Sequence, residues 1–309
     1  MKLSVIIPFY NLERYARPCL ESVLAASSAE PDVRVECICV DDGSTDSTSR
    51  ILDEFAAKCR WMRVIHQPNG GEGSARNAGL AAATGDWLAF LDGDDVWLPG
   101  ILSRAAALTV RHPDADIVSF RLEAFEGEAV PAETAGEERL YDTAHVLPSD
   151  VILRVGVVPT FFRRNVFGDI RFGNLSLGAD RLCVSACLMR AKSVVLSSAC
   201  VYGYRMRATS MARAAWSARK ISSMLGYACG AMENFRASGK RLGRAGVAYH
   251  AEILTRLAAK YVARAGAERA AAQELWMDAL RRTDPSWMPF RHRLLRRWYL
   301  LRRGISHMV

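Results

Sequence analysis

Four residues, Asp92-Gly93-Asp94-Asp95, end the apolar run Trp87-Leu88-Ala89-Phe90-Leu91. Three carboxylates at the mouth of a buried strand repel one another unless something neutralises them. Mg²⁺ or Mn²⁺ suits that task, since a hard cation takes one or two carboxylates and completes its shell with water and phosphate oxygens. Taken alone, Asp-Gly-Asp-Asp reads as a solvated turn, because Asp and Gly are ordinary turn formers.

Three more clusters change that reading. Pro8-Phe9-Tyr10-Asn11, Asp41-Asp42-Gly43-Ser44-Thr45-Asp46 and Pro68-Asn69-Gly70-Gly71-Glu72-Gly73-Ser74-Ala75-Arg76-Asn77 each follow a short apolar run. Ligands of an open parallel sheet bind beyond the carboxyl ends of its strands, so four clusters on one edge amount to a site. Tyr10 can stack on a base, and Asp41 can accept from a base N–H. The Gly-rich loop at Gly71 offers backbone N–H groups, and Arg76 in the following first turn can pair with phosphate. Asp94 and Asp95 would hold a cation between diphosphate oxygens. Together these residues describe a pocket for a nucleoside diphosphate. Gly71-x-Gly73 also opens a dinucleotide fingerprint, but its third glycine position is Arg76 and it follows the third strand, not the first. A P-loop is excluded, since no Gly-Lys-Ser/Thr occurs.

Alternating apolar runs and helical periods place these clusters. Strands are expected at Leu3 to Ile7, Val33 to Val40, Met62 to Ile65, Trp87 to Leu91 and Ile117 to Phe120. Helices are expected at Glu13 to Ala25, Ser47 to Lys58 (capped by Thr45 or Asp46), Gly73 to Ala83 and Leu98 to Arg111. Glu123 to Asp142 is acidic and lacks a period, so it reads as a loop or hairpin free to move over the site. A helix near Arg181 to Met189 and a strand at Val194 to Val201 follow, and Ala- and Arg-rich helices run from about Ala214 onward.

The 309 residues, 50% hydrophobic and 24% charged, suit a globular α/β protein. Met1-Lys2 before an apolar run resembles a signal peptide, but Pro8, Asn11, Glu13 and Arg14 cut that run short, so a strand is expected. No apolar segment is long enough to span a bilayer. The eight cysteines have neither metal nor disulfide spacing and read as small buried hydrophobes. A net charge of +8, with its basic residues weighted toward the end, points to an anionic surface or ligand.

Four motifs in order carry a resemblance: Ser4-Val5-Ile6-Ile7-Pro8-Phe9-Tyr10-Asn11, Val40-Asp41-Asp42-Gly43-Ser44-Thr45-Asp46, Ser74-Ala75-Arg76-Asn77-Ala78-Gly79 and Phe90-Leu91-Asp92-Gly93-Asp94-Asp95. The chain resembles the family 2 glycosyltransferases, strongly to about residue 120 and more weakly to about 213. The resemblance implies a GT-A fold, with a mostly parallel, Rossmann-like sheet flanked by helices, and an inverting, metal-dependent transfer from a nucleotide-diphosphate sugar. It implies a UDP-sugar donor, a saccharide or lipid-linked acceptor, and a place in cell-surface polysaccharide synthesis. Pro8, Tyr10, Asn11, Asp41, Asp42, Gly71, Arg76, Asp92 and Asp94 fall at its donor-binding motifs, and Asp94 and Asp95 at its metal. Asp180, in Leu177-Gly178-Ala179-Asp180-Arg181, matches its catalytic base, with Ala179 where a Glu is expected. Arg205 and Arg207 lie in a Tyr202-to-Met211 segment similar to the family's Tyr-x-Tyr-Arg…Ser strand end.

These motifs set a catalytic domain at 1–213 and a helical C-terminal region at 214–309. Trp287, Phe290, Leu294, Trp298 and Leu301 form a helical stripe among Arg291, Arg293, Arg296, Arg297, Arg302 and Arg303. Such a helix is either a peripheral anchor on the inner face of the cytoplasmic membrane or a helix packed on protein. No recognition module supports nucleic acid as a partner. Two other functions stay open: an inert nucleotide-sugar-binding subunit, given Ala179, and an NAD-dependent oxidoreductase, which Arg76 opposes.

Overall fold

The computed structural model describes residues 1–309 except 174, 176, 208–214, 285, 287 and 307–309, with side chains as far as residue 300. Ala208 to Met211, Trp287 and the side chains of Leu301, Arg302 and Arg303 therefore lie outside the described residues.

In chain order the elements are β1 (Lys2–Phe9), α1 (Ala16–Ala29), β2 (Arg34–Asp41), α2 (Thr48–Ala56), β3 (Met62–His66), α3 (Glu72–Ala82), β4 (Trp87–Phe90), β5 (Val96–Trp97), α4 (Ile101–Arg111), β6 (Ile117–Phe125) and β7 (Glu138–Asp142). There follow β8 (Val146–Leu147), α5 (Ser149–Arg154), β9 (Thr160–Arg163), α6 (Arg164–Phe167), α7 (Ala179–Arg190), β10 (Ser193–Arg205), α8 (Ala218–Ser238), β11 (Arg241–Leu242), α9 (Arg244–Glu252), α10 (Ala258–Val262), α11 (Arg269–Arg282) and α12 (Phe290–Ser306). They form two compact units, Met1–Ala144 with Arg154–Asn174 and Arg190–Ala208, and His145–Leu153 with Leu175–Met189 and Thr209–Val309.

The first unit is a sheet in the order β3-β2-β1-β4-β9-β6-β10-β5, with β7 also on β10. Strands β3, β2, β1 and β4 are mutually parallel, and β6 is parallel to β10. The central β1 is buried from Leu3 to Phe9, as expected of a strand covered on both faces. It is the first strand expected from Leu3 to Ile7. Phe90, Phe162, Phe167 and Phe172 interlock beside it, with ring centroids 5.1–6.4 Å apart. Burial of each such ring contributes about 1.5–3 kcal/mol. All eight cysteines are free, and Cys19, Cys37, Cys39, Cys183, Cys187 and Cys200 are buried.

Two expectations need correction, and one strand was not foreseen. The antiparallel β9 pairs with β4 and β6 and separates them. At four residues, Thr-Phe-Phe-Arg, it is too short to show a period. The helix expected from Leu98 begins at Ile101, because Val96 and Trp97 pair antiparallel with Gly203 and Tyr202 and Gly100 adopts a left-handed conformation (φ 76°). The segment expected as a loop or hairpin, Glu123 to Asp142, carries strand at both ends: β6 runs on to Phe125, and β7 pairs along β10. An edge strand burying Tyr141 alone hides the alternation that betrays most strands.

The second unit is helical, with β8 and β11 paired in parallel. Trp276 of α11 is buried and donates its indole N–H to the Leu254 carbonyl at 2.8 Å. Helix α12 packs by His292, which is fully buried, and by Tyr299, 4.6 Å from the Trp276 ring. Its apolar stripe faces elsewhere: Phe290, Leu294 and Trp298 are 68%, 51% and 47% exposed. Among the described residues no helix is long and apolar enough to cross a membrane.

Candidate active site

The parallel order β3-β2-β1-β4 brings the four clusters to one edge of the first unit. The loops after β1 and β2 are stitched together. Asn11, at φ 52°, accepts on its Oδ1 from the Thr45 N–H at 2.8 Å and donates its own N–H to Ser44 Oγ at 3.1 Å. The Glu13 N–H donates to Asp46 Oδ2, and the Ser47 N–H to Glu13 Oε2. Asp46 also accepts from the Thr48 N–H at 2.9 Å, doing the capping work expected of it from one residue outside the N-cap Ser47. Asn11 is thus a joint of the frame. Pro8 is buried within β1, while Tyr10 stands about half exposed at the mouth.

Asp41 and Asp42 are both buried, and each organises a loop. Asp41 accepts from the Ser44 N–H at 3.0 Å and from the Ser49 hydroxyl at 2.5 Å. Asp42 accepts from Gln67 Nε2 at 2.7 Å, the Gly70 N–H at 2.9 Å and the Gly71 N–H at 2.8 Å. The N–H groups of Gly70 and Gly71, expected to face a phosphate, are therefore spent on an internal carboxylate. Gly71 has φ 86° with open space where a Cβ would stand, so backbone conformation accounts for the glycine there.

Arg76 is buried in α3. Its Nη2 lies 2.7 Å from both Glu72 Oε1 and Asp92 Oδ1, and its guanidinium stands 5.3 Å from the Phe172 ring centroid. It holds Asp92 directly. At Gly93 an added Cβ would meet the Phe9 ring at 2.5 Å and the Pro8 carbonyl at 2.8 Å, so only glycine lets β4 turn this close to β1.

The three acids part company at this turn. Asp95, expected beside Asp94 at the cation, is fully buried, accepting from the Tyr202 hydroxyl at 2.8 Å and the Arg205 N–H at 2.7 Å. Burial, reinforced by Asp92 and Asp94, pushes its pKa well up against those two donors. Tyr202 also accepts from the Asp92 N–H at 3.2 Å, so it ties the turn at two points. Asp94 faces outward, with Arg207 Nε 2.6 Å from its Oδ2. Burial first, then Asp92, raises the Asp94 pKa in spite of Arg207.

Arg205 and Arg207 both reach the acidic turn. Arg205 is buried, donates from Nε to the Asp94 carbonyl at 3.0 Å and from Nη1 to the Gly127 carbonyl, and lies over Phe125. Arg207 is partly exposed. Both guanidinium groups stand 5.4 Å from the Tyr15 ring, a residue that sequence reasoning passed over. Its only signal was a place just beyond the first cluster. Asp180 belongs to the second unit, in the first turn of α7 after Gly178 at φ 83°. Ala179 opens that helix, and the Asp180 charge is felt by the buried Tyr227 of α8.

A divalent cation fits the outward pair Asp92 and Asp94 better than Asp95. Both are hard oxygen donors, and each keeps a partly open carboxylate beside its arginine partner. Among the described residues no three His, Cys, Asp or Glu side chains converge as a closed cage. An ion that keeps water and phosphate ligands needs none.

His66, to which the sequence assigned no role, stands between two acids, its Nδ1 3.0 Å from Asp41 Oδ2 and its Nε2 3.1 Å from Asp53 Oδ1. The bond to Asp41 first, opposed by burial and helped by Asp53, raises its pKa above 6.5. Burial pushes Asp41 up, but the bonds from Ser44, Ser49 and His66 together hold it low. A raised folded-state pKa stabilises fully below the unfolded value of about 6.5 and loses that effect as pH rises through the folded one. The melting temperature of the wild type should therefore exceed that of His66→Ala most near pH 6, with the gap narrowing by pH 8.5. A gap unchanged across that range in a thermal melt contradicts this pairing.

The Glycosyl transferase family 2 model matches residues 4–170. Glycosyltransferase GlyG of Streptococcus pneumoniae is 26% identical over 233 residues, 68% of this chain and 73% of that protein. Poly(ribitol-phosphate) beta-N-acetylglucosaminyltransferase TarS of Staphylococcus aureus is 34% identical over 148 residues, 46% of this chain but 25% of TarS. The crystal structure of S. aureus TarS 1-349 in complex with UDP-GlcNAc superposes with a TM-score of 0.74 at 22% identity, covering 98% of this chain and 89% of that one. Mannosyltransferase PcManGT from Pyrobaculum calidifontis, in complex with GDP-Man and Mn²⁺, gives a TM-score of 0.56 at 16% identity, covering 99% and 86%. Both structures bear on the fold, which is GT-A-like with a helical C-terminal region. With its family model spanning more than half the sequence, the chain belongs to glycosyl transferase family 2 and so to the glycosyltransferases.

Proposed function

We propose that this glycosyltransferase moves a sugar, with inversion, from a UDP-sugar to a hydroxyl of a saccharide or lipid-linked acceptor in cell-surface polysaccharide synthesis. One observation carries the donor reading. The edge of β3-β2-β1-β4 combines a half-exposed Tyr10 with two outward carboxylates, each already balanced by an arginine. A diphosphate with its cation matches that arrangement of alternating charge. The complexes of TarS with UDP-GlcNAc and with UDP support UDP, and Mn²⁺ with PcManGT supports a divalent ion.

Tyr10 would stack on the base, with Asn11, Asp41, Asp42 and Gly71 shaping the loops around it and Pro8 the strand beneath. Arg76 fixes Asp92, and Arg205 fixes the backbone of Asp94, so the ligand meets a preorganised turn. Arg207, partly exposed beside Asp94, is the guanidinium suited to a phosphate oxygen. Asp92 and Asp94 would hold Mg²⁺ or Mn²⁺, which when bound neutralises charge on the departing diphosphate. Asp180 would take the acceptor hydroxyl proton as that oxygen attacks the anomeric carbon from the face opposite the diphosphate.

The exposed Phe290, Leu294 and Trp298, with Arg291, Arg293 and Arg297 on a helix without acidic residues, support docking on an anionic leaflet. An acceptor carried on a lipid would be presented at such a surface. The domains at 1–213 and 214–309 then divide donor chemistry from attachment. An inert binding subunit is the competing reading, favoured by Ala179 at the head of α7.

Asp180→Asn should lower turnover by about 10²–10⁴ with UDP affinity intact, the typical weight of general-base assistance. Wild-type turnover refutes the base, and a wild-type chain without donor turnover favours the inert subunit. Asp94→Ala should weaken UDP binding in the presence of Mn²⁺ and abolish its sensitivity to chelator. Equal calorimetric affinity in both proteins removes the cation. In flotation with phosphatidylglycerol vesicles the full chain should rise with the lipid and Leu294→Ser/Trp298→Ser should stay behind. Identical behaviour of the two rejects the membrane helix.

A further inference from the structure

Away from the acidic turn, a cavity of about 600 Å³ opens at the start of β4, where β9 ends and α3 finishes. Its wall includes Asp86 and Leu88, whereas the acids begin at Asp92, about 13–20 Å further along at strand rise. The volume lies within the range of small-molecule sites, about 300–1,000 Å³. It therefore has room for a ligand of its own.

Three arginines line it, Arg163, Arg164 and Arg171, against one acid, Asp86. Several other arginines of this unit answer acids: Arg76 with Asp92, Arg207 with Asp94 and the neighbouring Arg190 with Asp169. These three do not. Among the described residues no carboxylate lies within 4.0 Å of their side-chain nitrogens. Backbone carbonyls hold two of them, Arg163 and Arg171, in place. Arg163 donates from Nε to the Ala115 carbonyl at 2.7 Å and from Nη2 to that of Pro113, and its guanidinium lies 4.8 Å from the Trp87 ring centroid. Arg171 donates from Nη1 to the carbonyls of Gly168 at 3.0 Å and Ile170 at 2.8 Å. The helix end of α3, which would repel an anion, is answered where Arg63 donates to the Ala82 carbonyl.

With Asp86 the one acid of the lining and Asp169 acting on Arg171 from beside it, three arginines still leave the concavity net positive, which favours a bound anion. Guanidinium forks match the oxygens of a phosphate, and the apolar floor of Leu80, Leu88 and Phe167 suits the uncharged part of a ligand. We propose that this cavity is a second anion site, taking a small soluble phosphate-bearing ligand separately from the nucleotide-sugar donor.

Inorganic pyrophosphate, titrated calorimetrically into the full chain with and without saturating UDP, tests it. Arg164 and Arg171 are exposed and outside the donor machinery, so Arg164→Glu/Arg171→Glu should fold, as its circular dichroism melt will report. The expected result is pyrophosphate binding that persists under UDP, weakens at least tenfold in the double variant and is largely recovered in Arg164→Lys/Arg171→Lys, with UDP affinity unchanged throughout. Absence of pyrophosphate binding under UDP, or equal binding in the charge-reversed variant, overturns the proposal. So does binding of phosphatidylglycerol vesicles that depends on Arg164 and Arg171 without any response to pyrophosphate, since the source would then be a lipid headgroup. Should UDP itself fail to bind, the donor reading falls, while the pyrophosphate titration still reads this cavity on its own.

Discussion

Three like charges closer together than water would leave them govern this structure. Asp92, Asp94 and Asp95 share one turn at the end of β4, and each is steadied from a different direction. Arg76 comes from α3, Arg207 from beyond β10, and the Tyr202 hydroxyl with the Arg205 N–H from β10 itself. The turn is thus a junction of three elements distant in sequence. Glycine at 93 is part of the same constraint, because the turn passes against Phe9 and Pro8 with no room for a side chain.

Much of the rest follows from the need to deliver those partners. Strand β10 must run long enough to bring both Tyr202 and Arg205 to the acids, and at 13 residues it extends well past the apolar stretch that marks it in the sequence. With β6 along one edge of β10, strands β5 and β7 give the other edge antiparallel partners. Strand β9 fills the gap between the parallel set and the β6–β10 pair, and its Phe161 and Phe162 supply apolar contacts on both faces. The carboxylates of the second cluster play the matching part across the edge, where Asp41 and Asp42 spend their oxygens on loop N–H groups, hydroxyls and side chains. Acids that resemble ligand-binding groups therefore include a set whose work is to hold loops.

The two ends of the chain's basic character have different physical meanings. Around the acidic turn the arginines are consumed by charge balance. On α12 and around Arg163, Arg164 and Arg171 they have no such partner within the described residues and present positive charge to whatever approaches. Both populations count toward the overall charge of +8.

Residue types and short spacings by themselves determined that a parallel sheet carries polar clusters at its strand ends, and that acids, a Gly-rich loop and Arg76 gather there. That much is local, since period, turn chemistry and strand length repeat within a few residues. The sequence also determined the apolar stripe of α12, for the same reason. What it did not determine is which carboxylate faces outward. Asp94 and Asp95 are neighbours of identical chemistry, and only the arrival of Tyr202 and Arg205, more than a hundred positions away, buries one fully and leaves the other part-buried with its carboxylate facing Arg207. The burial of Arg76, the capture of the Gly70 and Gly71 N–H groups by Asp42, and the place of β9 were likewise settled by tertiary structure. Each depends on a partner brought close by folding, and such proximity leaves no mark on the spacing of residues along the chain.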